Sequence, residues 1–323
     1  MNYSEIRLFD PVFTKLAHGY TNPRIGVAEF ISPIVPVPSR SGQIIQFGKD
    51  EFSVTNTKRA PGTNIRREGT SYTSAKFTLS QDALAAEVQY ESIEEANQTG
   101  LRNLQRIHLN QVLNKLLLGW EVEVLDLVTN PDNFETSLTS TIGNKWNAAS
   151  DPQSDIFSAK EAVRAQSAVY PNSMVIGPAV YQALMTNDAI REQFKYTTAG
   201  SINLDMLASY FDLRRGIRVS EQVKEVNGSF VDIMPRDSVL LFYAPPTITT
   251  GSLSGSAVDA DMGIPSFCYT YTHRDYPQVT PFRQDPDRRV LVADVIHEHQ
   301  AVITGIGQTG KAGAGYLLTN VIS

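Results

Sequence analysis

Apolar positions recur at two different periods along this chain. Between residues 43 and 79 they follow a strand period. Gln43-Ile44-Ile45-Gln46-Phe47 and Phe52-Ser53-Val54-Thr55 read as an ascending limb. Tyr72-Thr73-Ser74-Ala75-Lys76-Phe77-Thr78-Leu79 returns, with Thr73, Ala75, Phe77 and Leu79 on one face. The intervening tip, 56–69, is polar and holds Pro61-Gly62. It carries Lys58, Arg59, Arg66 and Arg67 against a single acid, Glu68. Ahead of the hairpin lies Ile31-Ser32-Pro33-Ile34-Val35-Pro36-Val37-Pro38, whose prolines exclude helix and favour an extended path. Pro33 and Pro36 formally spell a PxxP ligand, but the apolar residues between them fit an arm packed along a surface. A short helix is expected around Pro11 to Ala17, capped by Asp10 and stopped by Gly19. A two-stranded hairpin of this length is marginal alone in water. Arm and hairpin are therefore expected to find their burial on another molecule rather than on their own body.

A helical period follows. Leu113, Leu116, Leu117, Trp120, Val124, Leu127 and Val128 step by three and four, predicting one long amphipathic helix over about 91–129 that Asn130-Pro131 ends. Residues 83–99, with Glu87, Glu91, Glu94 and Glu95, read as its acidic helical approach. A polar spacer, 132–155, leads to alternating elements. These are a helix over 156–170 capped by Ser154 or Asp155, a buried strand at Met174-Val175-Ile176, and helices over 178–185, 188–194 and 204–211. Strands are expected at 217–226 and 239–243, a Gly/Ser/Thr-rich loop at 247–263, and a β-rich end at 267–273, 290–304 and 316–322. The fold class is α+β.

Composition narrows the function classes. At 323 residues with 41% hydrophobic and 19% charged content, the chain reads as a soluble globular protein. A net charge of −6 argues against a general polyanion binder. The single cysteine, Cys268, lies in the alternating run 266–271 and reads as a packed strand thiol, and one cysteine excludes a disulfide framework. The first residues lack a secretory signal, and no apolar run reaches the ~18 residues of a membrane span.

The motifs that resemble chemistry are incomplete. Gly305-Ile306-Gly307-Gln308-Thr309-Gly310-Lys311 satisfies GxGxxG and nearly a phosphate-binding loop, but Ala312 stands where the metal-binding Ser or Thr belongs. Too little chain follows for a βαβ unit, so a flexible hairpin turn is preferred. His297-Glu298-His299 places two imidazoles on one strand face without a convincing third metal ligand, and reads as a solvated or interfacial face. Asp259 and Asp261 lack the calcium-loop pattern, and no GxSxG elbow occurs. No catalytic residue, cofactor or metal is expected.

The order of these parts resembles the major capsid proteins of tailed bacteriophages, the Hong Kong 97-like fold, over essentially the whole chain. The arm-to-loop passage from Phe30 to Phe47 and the strand-to-helix step Pro171-Asn172-Ser173-Met174-Val175-Ile176-Gly177-Pro178, followed by Tyr181-Gln182-Ala183-Leu184, look like those of the family. The resemblance implies an N-terminal arm at 1–42, an E-loop hairpin at 43–82, a P-domain with its spine helix at 83–149, an A-domain at 150–268 and a P-domain β segment at 269–323. It further implies a shell of hexamers and pentamers in an icosahedral head. Expected partners are a separate scaffolding protein, a portal, a decoration protein and DNA held without sequence reading. Assembly would take place in a bacterial cytoplasm, with no membrane involved. One branch of the family cross-links lysine to asparagine beside a glutamate, and spacing does not establish that chemistry for Lys49, Lys58, Lys76 and Glu298. An encapsulin-like compartment and a phage tail or connector protein are the alternatives. Candidate contact residues between copies are Lys58, Arg59, Arg66 and Arg67 on the basic tip and Glu87, Glu91 and Glu94 on the acidic approach. Arg283, Asp285, Asp287 and Arg288, on the 281–289 loop, are candidates for a three-fold contact.

Overall fold

The computed structural model describes residues 26–47, 72–99, 104–143, 145–147, 149–194, 202–245, 266–273, 277–304 and 311–322, with the single positions 54, 58 and 67. The helix expected at 11–17, the second half of the ascending limb, most of the basic tip and the loops at 247–263 and 305–310 lie outside these residues.

In chain order the elements are α1 (Ala28–Ile31), β1 (Ile34–Val37), β2 (Ser41–Phe47), β3 (Tyr72–Thr78), β4 (Ser80–Gln89), α2 (Tyr90–Thr99) and α3 (Leu104–Thr129). Then come β5 (Thr139–Thr141), α4 (Pro152–Ser167), β6 (Ser173–Ile176), α5 (Pro178–Thr186), α6 (Asp188–Gln193), α7 (Leu204–Tyr210) and β7 (Gly216–Val219). The chain continues through β8 (Val223–Val226), β9 (Ser229–Asp232), β10 (Val239–Phe242), β11 (Cys268–His273), β12 (Gln278–Val279), β13 (Arg283–Asp285), β14 (Val290–Ile303) and β15 (Gly315–Thr319).

Two larger sheets organise them. In the first, the long β14 pairs antiparallel with β4 along one edge and with β11, β12 and β13 along the other, while β1 adds in parallel to β11. The second runs in the order β5-β15-β10-β6-β7. β6 and β10 are buried at every position, as expected of a central strand whose residues are nearly all apolar. A shared core joins the sheets: Phe242 and Phe267 lie 6.0 Å apart, and Phe267 stacks on Phe134. α3 lays Trp120, Val124, Leu125 and Val128 into this core. A second cluster fills the space between the five-stranded sheet and α4 to α7.

Several expectations need correction. Residues 83–89 are strand, not helix: Leu84, Ala86 and Val88 alternate, Ala86 and Val88 are buried, and β14 supplies a ten-residue template. Helix is described over Tyr90–Thr99 and Leu104–Thr129 within the span expected as one helix, and 100–103 lie outside the described residues. The supposed spacer 132–155 contributes Phe134, Leu138, Ile142 and Trp146 to the core and adds β5 to a sheet. Asp151, not Ser154 or Asp155, caps α4, accepting the Ser154 N–H with Pro152 in the first turn. The strand expected at 217–226 is two strands in different sheets, because Ser220 to Gln222 turn the chain out of the edge of the five-stranded sheet into a hairpin with β9. The strands on either side of 305–310, β14 and β15, belong to different sheets and do not pair as a hairpin.

The largest correction concerns the arm. Val27, Ala28, Phe30 and Ile31 are buried in the main core of their own chain, and β1 extends the first sheet. The expectation that this stretch must be buried elsewhere fails over 27–33, while Ile34 to Val37 pair with β11 and stay partly exposed. Pro36 within β1 does not prevent a short edge strand, because it lacks only an N–H that such a strand can spare.

Candidate assembly surfaces

Three polar contacts tie the extended segments to the body. The first holds the arm. Glu121, 3% exposed on α3, accepts the Val27 N–H at 2.7 Å through Oε1 and the Ala28 N–H at 3.2 and 3.1 Å through both oxygens. These are N–H groups at the start of α1, which have no helical partner. The approach is so close that a Cβ on Gly26 would lie 2.2 Å from Glu121 Oε2. Burial pushes the Glu121 carboxyl up from its ordinary range, against the pull of its two backbone donors. Downstream, the Arg215 guanidinium donates to the Phe30 carbonyl at 2.5 Å, and Arg215 and Arg218 lie 4.4 and 4.7 Å from the Phe30 ring centre. Ser32 Oγ and Thr270 Oγ1 are 2.7 Å apart, and Trp120 Nε1–H donates to Thr270 Oγ1 at 3.2 Å.

The second contact anchors the root of the β2–β3 hairpin, which forms a sheet of its own in the register Ser41↔Thr78 to Phe47↔Tyr72. Arg40 Nε donates to Glu298 Oε2 at 2.8 Å, and Gln81 donates to the same carboxylate. Phe77 stacks on Tyr271 with ring centres 4.9 Å apart. The Thr78 N–H donates to the Gln300 side chain. The Arg40 side chain is 67% exposed and that of Glu298 only 4%. Water therefore compensates part of a lost pair, and Arg40→Ala is expected to cost about 1 kcal/mol. Thermal melting checks the cost, and faster proteolysis between 48 and 71 should accompany it.

The third joins α3 to β14. His299, 1% exposed, faces Glu123 Oε2 through Nε2 at 2.9 Å and His297 Nδ1 through Nδ1 at 2.7 Å. The His299 hydrogen bond holds the Glu123 carboxyl below its ordinary range. The two imidazoles do share a face, as the spacing implied, with His299 covered and His297 half-buried. Glu298 is equally buried on the other side, so a solvated strand face is the wrong description. The residue that sequence reasoning missed here is Glu123 on α3.

The candidate contact residues are distributed as follows. Lys58 and Arg67 are exposed, as are Glu87, Glu91 and Glu94; Arg59 and Arg66 lie outside the described residues. Arg283 pairs within its own chain with Asp294 at 2.6 Å, and Arg289 with Glu91 at 3.5 Å. Asp285 accepts the Asp287 N–H, while Asp287 and Arg288 remain exposed at the turn. Cys268 is fully buried, and burial pushes its thiol up to about 12, which suits packing rather than nucleophilic chemistry. Among the described residues no group of three or more His, Cys, Asp or Glu is placed to hold a metal. No described helix is long and apolar enough to cross a membrane.

Comparison with known proteins points the same way. Residues 125–253 match the family described as Phage major capsid protein E. Over 325 aligned residues the chain is 29% identical to the major capsid protein of Burkholderia phage BcepMu, covering 98% of each. The crystal structure of a phage-related protein from Bordetella bronchiseptica RB50 superposes over 98% of both chains with a TM-score of 0.76 and 26% identity. The capsid structure of cyanophage P-SCSP1u matches 94% of this chain and 90% of that one, with a TM-score of 0.57 and 13% identity, a likeness of fold alone. With the arm laid on α3 and the hairpin rooted on β14, these matches make the chain similar to phage major capsid proteins over nearly its whole length, on the fold of Hong Kong 97-like capsid subunits.

Proposed function

We propose that many copies of this chain tile as hexamers and pentamers of an icosahedral head around double-stranded DNA. The observation that carries this reading is the β2–β3 hairpin, a two-stranded sheet of its own whose root is fastened to β14 and β11. An element that forms a sheet of its own and is held to the body at its root is suited to lie over a neighbouring subunit. In this reading residues 1–42 are the arm, 43–82 the E-loop, 83–149 and 269–323 the P-domain and 150–268 the A-domain. Pairing of β4 with β14 supports joining the two P-domain segments. Many modest contacts then sum to a stable shell through multivalency. The role is structural, without a catalytic step. The same reading brings in a scaffolding protein, a portal and a decoration protein, with assembly in the host cytoplasm. Negative-stain imaging of purified particles, with an assay of their contents, tests it. Closed shells holding DNA are expected, and tubes, lone monomers or shells filled with a cargo enzyme overturn it.

The basic tip supplies a second test. Lys58 and Arg67 are exposed on the tip, and Glu87 and Glu94 on the body. Charge contacts of this kind set register and weaken with salt. The double reversal Arg66→Glu with Arg67→Glu is expected to impair assembly in a salt-dependent way. Normal particles across a salt series would sink that role for the tip.

A further inference from the structure

A second hairpin stands out from the edge of the five-stranded sheet. β8 and β9 pair with each other as a separate two-stranded sheet, in the register Val223↔Asp232, Lys224↔Val231, Glu225↔Phe230 and Val226↔Ser229. Asn227 and Gly228 join them with φ of 53° and 80°, the left-handed pair that a type I′ turn requires. The root is fixed, because the Ile233 N–H donates to the Gln222 carbonyl at 3.1 Å, and Ile233 and Met234 enter the main core. The tip is not packed. Of the nine large apolar side chains exposed among the described residues, four lie on this ribbon: Val223, Val226, Val231 and Phe230, the last 80% exposed. Single exposed apolar residues are ordinary, but a cluster of them on a marginal two-stranded element marks a contact surface.

Directly opposed residues share a face of the ribbon. One face therefore carries Val223, Glu225, Phe230 and Asp232, and the other Lys224, Val226, Ser229 and Val231. The first is apolar and acidic, the second apolar and basic. Asp232 is engaged by Arg236 at 3.3 Å, and Glu225 accepts the Gly228 N–H at 2.5 Å, which holds its carboxylate near the turn. For a protein that assembles with copies of itself, the surface complementary to each face is the opposite face of the same hairpin on the next copy.

We propose that the Phe230-bearing acidic face of one subunit packs on the valine-bearing basic face of its neighbour, with Glu225 meeting Lys224 of the next copy. A contact between unlike surfaces is heterologous, and a heterologous contact that closes on itself makes a ring. The inference rests on the shell reading above and adds to it a specific contact around a rotation axis.

The test compares the wild-type chain with Phe230→Ser, Lys224→Glu, Glu225→Lys and the double swap Lys224→Glu with Glu225→Lys, by sedimentation velocity and negative stain. Circular dichroism spectra and melting of the subunits control for folding, since Phe230 and Glu225 are exposed, Lys224 is half-buried and Glu225→Lys also removes the acceptor of the Gly228 N–H. The expected result is loss of rings and shells in each single variant and their recovery in the double swap. Normal assembly of the single variants beside an assembling wild type overturns this contact alone. So does a double swap no better than its single parents. A wild type that stays monomeric overturns both this contact and the shell reading.

Discussion

Glu121→Ala is expected to destabilise the unassembled subunit by about 4 kcal/mol, because two buried backbone N–H groups lose their acceptor at about 1–3 kcal/mol each. The melting temperature should fall by roughly 8 °C, given about 2 °C per kcal/mol for a chain of this size. The mechanism is specific: the carboxylate is the acceptor for the Val27 and Ala28 N–H groups that begin the arm's only described helical turn. Glu121→Gln keeps one acceptor oxygen and should cost less. Its pH dependence separates the charge from the hydrogen bonds. Burial raises the folded-state pKa of Glu121 above the ordinary 4.5, so the folded protein holds this proton more tightly than the unfolded chain. Wild-type stability therefore declines as pH rises from 4.5 through the raised value, a decline that Glu121→Gln lacks. The advantage of wild type over Glu121→Gln should narrow across that interval in urea melts. A gap independent of pH would show that the carboxyl titrates alike in both states.

The clamp also explains where sequence reading succeeded and where it did not. Local signals sufficed for elements that carry their own punctuation. Asn187 and Asn203 cap α6 and α7, Pro178 opens α5, and the apolar strands β6 and β10 lie at the expected positions. The strand-period pattern expected over 43–47 and 72–79 likewise matches the β2–β3 pairing of 41–47 with 72–78. Failures came where a distant partner decides the outcome. Ala83 to Glu87 are good helix formers, yet β14 draws them into a ladder whose benefit no local window records. The arm reads as unburied because its cover, α3 and β11, lies about a hundred and more than two hundred residues away in the chain.

The assembly surfaces divide in the same way. Exposed charges such as Lys58, Arg67 and Glu94 are legible from composition, because nothing in the fold has to be known to place them near solvent. Arg283 was legible as a charge but not as one already paired to Asp294, a partner that only the β13–β14 register brings close. The β8–β9 hairpin did carry a local signal. Asn227-Gly228 is the strongest short hairpin signature, and it was obscured by reading 217–226 as one strand. Its exposed Phe230 and valines follow only from the register.

His299→Ala is the other substitution expected to have a large effect, about 3 kcal/mol, for deleting a fully buried ring and the space it fills. The loss falls on the joint between α3 and β14, just where β4 leaves toward the hairpin. His299 Nε2 must carry a proton to donate to Glu123, and only one proton fits between the two Nδ1 atoms 2.7 Å apart. The rings and the carboxylate are therefore ordered as one unit, with Asp82 Oδ2 3.8 Å from the same Nε2. The pH dependence runs opposite to that of Glu121. The imidazole holds the Glu123 pKa below 4.5 in the folded state, so this contribution is complete above 4.5 and is lost as pH falls through the lowered value. The stability gap between wild type and His299→Ala should accordingly shrink in acid, while His299→Gln, which keeps a donor, recovers part of it. An unchanged gap down to the acid limit of folding would place the whole cost in packing and none in the Glu123 contact.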